Sequence, residues 1–185
     1  SNTKLIDKLP VKGKIIKEEK NGKFGSTVWT LSNGTKVILK KTDFKDDEIL
    51  LSGARPGGSH NLTKPATLDL KVLNDVSDLG GLGKFDDSAL EKALAGRIAS
   101  VGLSVGSLTD NVSGSTTKED LETMLQLLYL NFTARRADKP AFAAWQERTV
   151  ASIEAGMANP LFSLRDSLAR LMYPHNPDHY PLTVN

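Results

Sequence analysis

The 185 residues are 39% hydrophobic and 25% charged, the make-up of a folded globular chain long enough for one core, which excludes a disordered or fibrous one. With 24 basic against 22 acidic side chains the net charge is +2, which gives no electrostatic footprint for nucleic acid or an anionic membrane. Cysteine is absent, excluding disulfides, thiol nucleophiles and thiolate metal sites, and no apolar run approaches the ~18 residues of a membrane-spanning helix.

Ser1-Asn2 reads as a tag remnant, and residues 1–23, with only loose alternation between Val11 and Lys20, are expected to be a linker. Ser26 to Leu31 and Lys36 to Lys40 are rich in Val, Thr, Trp and Ile, as strands are. Between them, Asn33-Gly34 offers two residues that tolerate positive φ, so a tight hairpin is expected to fix the register of both strands. Glu48 to Ala54 reads as a further strand, closed by the turn-forming Arg55-Pro56-Gly57-Gly58-Ser59, and the first third is expected to form one antiparallel sheet.

After Pro65, Leu68, Val72, Leu73 and Val76 recur at helical spacing until Gly80-Gly81 and Gly83 stop the pattern. Asp86-Asp87-Ser88 caps a second helix to about Gly96, with Leu90, Leu94 and Ile98 on its apolar face. Val101 to Val105 and Asn111 to Ser115 read as a second strand pair around Gly106.

The span Thr117 to Phe132 is expected to be a helix with Glu119 and Asp120 opposing the dipole in its first turn, and with Leu121, Met124, Leu125, Leu128 and Phe132 buried. Lys139-Pro140 opens another, with Phe142, Trp145, Val150 and Ile153 on its apolar side, and Pro160 begins a last one to about Tyr173. Helices from Thr117 and Pro140 are expected on one face of the sheet. Pro174, Pro177 and Pro181 break regular structure, so residues 174–185 are expected to be a linker to a following domain.

This order of elements resembles the repeating domain of the insulinase/pitrilysin-type zinc metallopeptidases over nearly the whole chain. It is carried by Leu31-Ser32-Asn33-Gly34-Thr35-Lys36-Val37, the glycine pair, and the phrases Ser88 to Gly96 and Glu119 to Phe132. The resemblance implies an α+β fold over residues 24–173, mostly antiparallel sheet with helices packed on one face. It also implies a parent of four such domains in two halves that close around a peptide, only the first domain binding zinc. The two phrases place this chain as the third, the zinc-free opening of the second half.

In the metal-binding copy, H-x-x-E-H on the helix after the first strands puts two histidines on one helical face and a glutamate base beside the attacking water. Matched on Gly80, that helix here reads Lys71-Val72-Leu73-Asn74-Asp75, and no histidine lies between His60 and His175. A protonated lysine cannot ligate and an amide oxygen is a poor zinc donor, so no catalytic, cofactor-binding or metal residue is expected in this segment. What the resemblance implies is a non-catalytic domain that shapes the substrate chamber, with zinc and hydrolysis belonging to the parent. Its partners would be other domains of the parent chain and a peptide or protein substrate, without nucleic acid or membrane insertion. The alternative is an assembly module of an inactive member of the same family; a weaker third reading is a peptide-binding module that pairs through a sheet edge. The cellular compartment is left open.

Other chemistry finds little support. His175 and His179 have the i, i+4 spacing of a zinc helix, but Pro177 between them breaks it, and His60 sits in a glycine-rich turn. Gly57-Gly58 and Gly80-Gly81-Leu82-Gly83 lack the phosphate-loop pattern and read as turns. Asp46-Asp47 and Asp86-Asp87 read as solvated or capping groups, and no G-x-S-x-G supports a serine nucleophile. Arg135-Arg136 with Lys139, and Arg165 with Arg170, can meet a carboxylate but read as structural charges near helix ends. Trp29, Trp145, Phe132, Phe142 and Phe162 are expected to fill the core.

Overall fold

The computed structural model describes residues 4–62 and 64–184; Ser1-Asn2 and the side chain of Leu68 lie outside that description. Among the described residues six strands form two antiparallel sheets. The first joins β1 (Ile15–Asn21), β2 (Ser26–Leu31) and β3 (Lys36–Lys40) in that order, and the second has the order β4 (Ile49–Pro56), β6 (Thr109–Thr116), β5 (Ala99–Val105). They are accompanied by the helices α1 (Lys64–Val76), α2 (Asp87–Leu94), α3 (Leu121–Thr133), α4 (Lys139–Met157) and α5 (Pro160–Met172). The fold is α+β, with antiparallel pairing throughout.

The β2–β3 hairpin has the expected strands, with Trp29 opposite Val37, but a different turn. Leu31 N donates to Thr35 O (2.9 Å) and Gly34 N to Leu31 O (2.9 Å), which makes a three-residue loop. Only Gly34 takes positive φ, at 84°, while Asn33 accepts from Thr35 N through its side chain at 3.1 Å. The asparagine thus stabilises the loop as a side-chain acceptor and leaves the left-handed position to glycine.

Two expectations about chain ends and sheets are corrected. Residues 15–21, assigned to a linker, form β1 and pair with β2 along its length. All seven residues of β1 are exposed, so no buried face imposes the alternation by which strands are recognised. Leu5, in the same supposed linker, is only 4% exposed and belongs to the main core. The strand β4 does not extend the first sheet; it pairs with β6, from Ile49 opposite Thr116 to Pro56 opposite Thr109.

The helix α3 crosses β5 and β6, where Gly114 of β6 makes room for it: a Cβ there would stand 2.6 Å from Ser100 O and 3.3 Å from Met124 Sδ. It buries Thr123, Met124, Leu127, Leu130 and Asn131, not the expected stripe, of which Met124 alone is buried. Leucines surround this helix on nearly every side, so periodicity could not choose the face; polar partners did. Asn131 Nδ2 donates to Leu127 O (2.9 Å), Arg135 donates to Asn131 Oδ1 (2.7 Å), and Arg97 donates to Thr123 Oγ1 (2.7 Å). The helix begins at Leu121 because Asp120 is engaged before it, accepting from Ile98 N at 2.7 Å and facing Arg97 at 3.7 Å. Ile98, expected on the face of α2, is exposed.

Leu82, Ala93, Leu127 and Leu130 complete the core around Leu5, with Leu90, Leu94, Ala99 and Val101 packed against it. The helices α4 and α5 start as expected, capped by Asp138 and Asn159 with a proline in the first turn. They pack chiefly on each other rather than on the strands, and neither buries a residue. Residues 174–184, expected to be a linker, instead fold back: a 3-10 turn at Pro177–His179 contacts α1 and α5. Among the described residues no helix is long and apolar enough to cross a membrane.

Candidate functional site

The turn of α1 from Lys71 to Asp75 is occupied by internal bonds. Lys71 Nζ donates to Pro177 O at 2.9 Å and Tyr180 O at 2.8 Å. Asn74 Oδ1 accepts from Val105 N at 3.3 Å, a donor at the end of the edge strand β5, and Asp75 is exposed. An ammonium, an amide and a single carboxylate do not make a zinc donor set. Among the described residues no three His, Asp or Glu side chains gather to hold a metal. His175 is exposed, His179 stacks on Tyr173 with ring centres 4.0 Å apart, and His60 lies in the 3-10 turn Ser59–Asn61.

The two glycine turns spend their donors internally. Gly81 N, Leu82 N and Gly83 N donate to Asp78 O, Phe85 O and Ala134 O at 3.3, 3.0 and 2.7 Å, so these three amides are not turned toward an anion. Arg135 and Arg136 fasten this turn from outside, Arg135 to Ser77 O (2.6 Å) and Asp78 (3.2 Å), Arg136 to Gly80 O (3.1 Å). A Cβ at Gly80 would collide with the carbonyl of Arg136, so glycine is required by close approach.

Gly57 N donates to Leu108 O and Gly58 N to Asp110 Oδ1, both at 3.0 Å. Arg55 Nε reaches the same carboxylate at 2.8 Å. The hydrogen bond from Arg55, then that from Gly58 N, hold the Asp110 carboxyl below its ordinary value against the opposing effect of burial.

The remaining candidates are dispersed. Asp46 and Asp47 lie exposed in a turn before β4; Asp86 caps α2 by accepting from Ala89 N at 2.8 Å, with Asp87 in the first turn. Lys139 opens α4, Arg165 is exposed on α5, and Arg170 pairs with Asp166 at 2.8 Å. The aromatic residues do not fill the core. Trp29 donates to Glu18 on the outer sheet, Phe142 and Trp145 stack on α4 with centres 5.6 Å apart, Phe132 is exposed and Phe162 is half-buried. They pack on elements that the domain leaves at its surface.

A cavity of about 250 Å³, which sequence reasoning missed, opens between α2, β5 and α3. Leu82, Leu90, Leu94, Val101 and Leu127 line it, residues too far apart in sequence to form a motif. Its polar wall includes Asn131, already bonded to Leu127 O and Arg135. Asp78, Asp87 and Ser100 also line it, with Ser100 Oγ 3.0 Å from Ser115 Oγ.

No protein-family model matches the chain. A zinc protease PQQL-like protein of Arabidopsis thaliana is 31% identical over 129 residues, 70% of this chain and 11% of that protein. The periplasmic protease PqqL from Escherichia coli has a TM-score of 0.80 at 18% identity, over 99% of this chain and 20% of its own. A peptidase M16 inactive domain from Pseudomonas fluorescens scores 0.62 at 19% identity, covering 84% of this chain and 38% of that one. Pitrilysin scores 0.55 at 19% identity, over 92% and 18%. The solved structures establish likeness of fold, and the chain spans about a tenth of the curated relative it matches.

Proposed function

The chain is a domain of the insulinase/pitrilysin type, and we propose that it is a zinc-free copy, the third of four, forming part of the wall of a peptide-enclosing chamber. Water activation and hydrolysis then belong to an H-x-x-E-H domain elsewhere in a longer parent chain. The observation that carries this reading is the state of α1: its turn bears Lys71 and Asn74, and both are committed to holding the domain together. A helix whose would-be ligand positions serve as internal ties contributes rigidity.

The partners of this reading are neighbouring domains of the parent and a peptide or protein substrate. Apolar side chains left outside support the first of these. Leu161, Leu164, Leu168 and Leu171 form one exposed stripe on α5, and Ile15, Ile16 and Ile38 are exposed on the first sheet. Burying such a leucine contributes ~1.5–3 kcal/mol, so a larger protein that covers these faces gains stability from them.

The test is peptide cleavage by the parent chain and by these 185 residues side by side, with and without a chelator. Chelator-sensitive cleavage by the parent alone is the expected result. Cleavage by the 185-residue chain contradicts the reading, and inactivity of both makes the parent an assembly protein of the same family.

A further inference from the structure

The sequence holds two Asn-Gly pairs, Asn21-Gly22 and Asn33-Gly34, in the turns on either side of β2, and the fold treats them differently. An asparagine side chain can cyclise onto the amide nitrogen of the residue that follows it, most readily when that residue is glycine and offers no Cβ in the way. At the second pair both reacting groups are engaged: Gly34 N donates to Leu31 O at 2.9 Å, and Asn33 Oδ1 accepts from Thr35 N at 3.1 Å. At the first pair, Asn21 is the exposed last residue of β1, opposite Ser26. Its side-chain amide and the Gly22 N–H have no hydrogen-bond partner among the described residues. A Cβ at Gly22 would meet nothing within 4 Å, so there is open space around the pair. All seven residues of β1 are exposed, so the ladder alone holds Asn21 in place, and a terminal pair of this kind opens at little cost.

We propose that Asn21 is a site of spontaneous covalent modification, converted to aspartate and isoaspartate through a succinimide, while the fold spares Asn33. Gly22 N gives its proton to hydroxide and attacks Asn21 Cγ; the new N–C bond closes the ring, and the side-chain nitrogen leaves as ammonia. Water then opens the ring. Cleavage of the new bond to Cγ restores the original main chain and leaves aspartate, whereas cleavage at the main-chain carbonyl leaves isoaspartate, with the chain running through Cγ. The net change is one water consumed and one ammonia released, without an oxidant or reductant. Either product puts a carboxylate into the cross-strand row of Asn21, Ser26 and Lys40, and isoaspartate also lengthens the backbone at the end of β1. No buried face pins the register of β1, so the isoaspartate form loosens the end of this strand from β2. The site stands on the geometry of the two turns and holds whether or not the parent is an active peptidase.

Peptide mass spectrometry of the 185-residue chain, sampled during incubation at mildly alkaline pH, tests it. Conversion at Asn21 is expected to run roughly tenfold or more ahead of that at Asn33, the factor set by releasing the two hydrogen bonds that hold Asn33 and Gly34. In urea, where neither bond persists, the two pairs should convert at similar rates. Gly22→Ala, whose Cβ the turn admits, should slow conversion at Asn21 and leave Asn33 unchanged. The proposal is overturned if Asn33 converts as fast as Asn21 in the folded chain, if the folded-state ratio persists in urea, or if Gly22→Ala leaves the rate at Asn21 unchanged.

Discussion

The helices α3 and α5 each have 13 residues and both carry a leucine-rich face, yet they end in opposite surroundings. The first buries five residues against β5, β6 and the core, whereas the leucines of α5 at 161, 164, 168 and 171 are 61, 54, 46 and 78% exposed. Amphipathic pattern therefore says that a face wants covering, and only the rest of the molecule says by what. The domain's own core lies on the α3 side, and the α5 side leaves its leucines uncovered among the described residues.

Substitutions break this comparison in graded steps. Leu127→Ala empties the α3 core and should cost ~2–5 kcal/mol in urea unfolding of the 185-residue chain, the usual range for a buried leucine. Arg135→Met should cost ~1–3 kcal/mol by the same measurement, because it leaves Asn131 Oδ1, in a buried residue, without its donor. Gly34→Ala forces a Cβ into a φ of 84° and should cost ~1–2 kcal/mol, seen as a lowered Tm.

On the α5 side, Leu164→Ala with Leu168→Ala should change the stability of the 185-residue chain by no more than ~0.5 kcal/mol. The same pair should destabilise the parent measurably more; equal effects in both would remove the argument that this face is covered there. The smallest effect is at Asp110. Its folded pKa is depressed, so its contribution is present above the ordinary value of 3.8 and is lost as the pH falls through the lower folded value. The Tm difference between the wild type and Asp110→Asn should therefore close as the pH drops below 3.8.

How far the sequence could be read follows the same division. Helix starts were legible from Asp86 and from Pro140 and Pro160; the structure adds Asp138 and Asn159 as the caps that accept a backbone N–H before the two prolines. The strands β2 and β3 were legible from their Val, Thr and Trp content, and β1 was not, because a strand exposed on both faces has no alternation to display. The pairing of β4 with β6 joins residues more than fifty positions apart, and no local signal encodes it. At the candidate site, the absence of histidine from α1 was plain, but the roles that Lys71 and Asn74 play instead depend on Pro177, Tyr180 and Val105 being brought to them by the fold.

The account's central claim is that α1 is a structural helix in a zinc-free copy. Zinc content of the 185-residue chain after equilibration with the metal and removal of the excess tests it most directly. Well under one zinc per chain is the predicted result. One zinc per chain, lost on Asp75→Ala or His175→Ala, would contradict it.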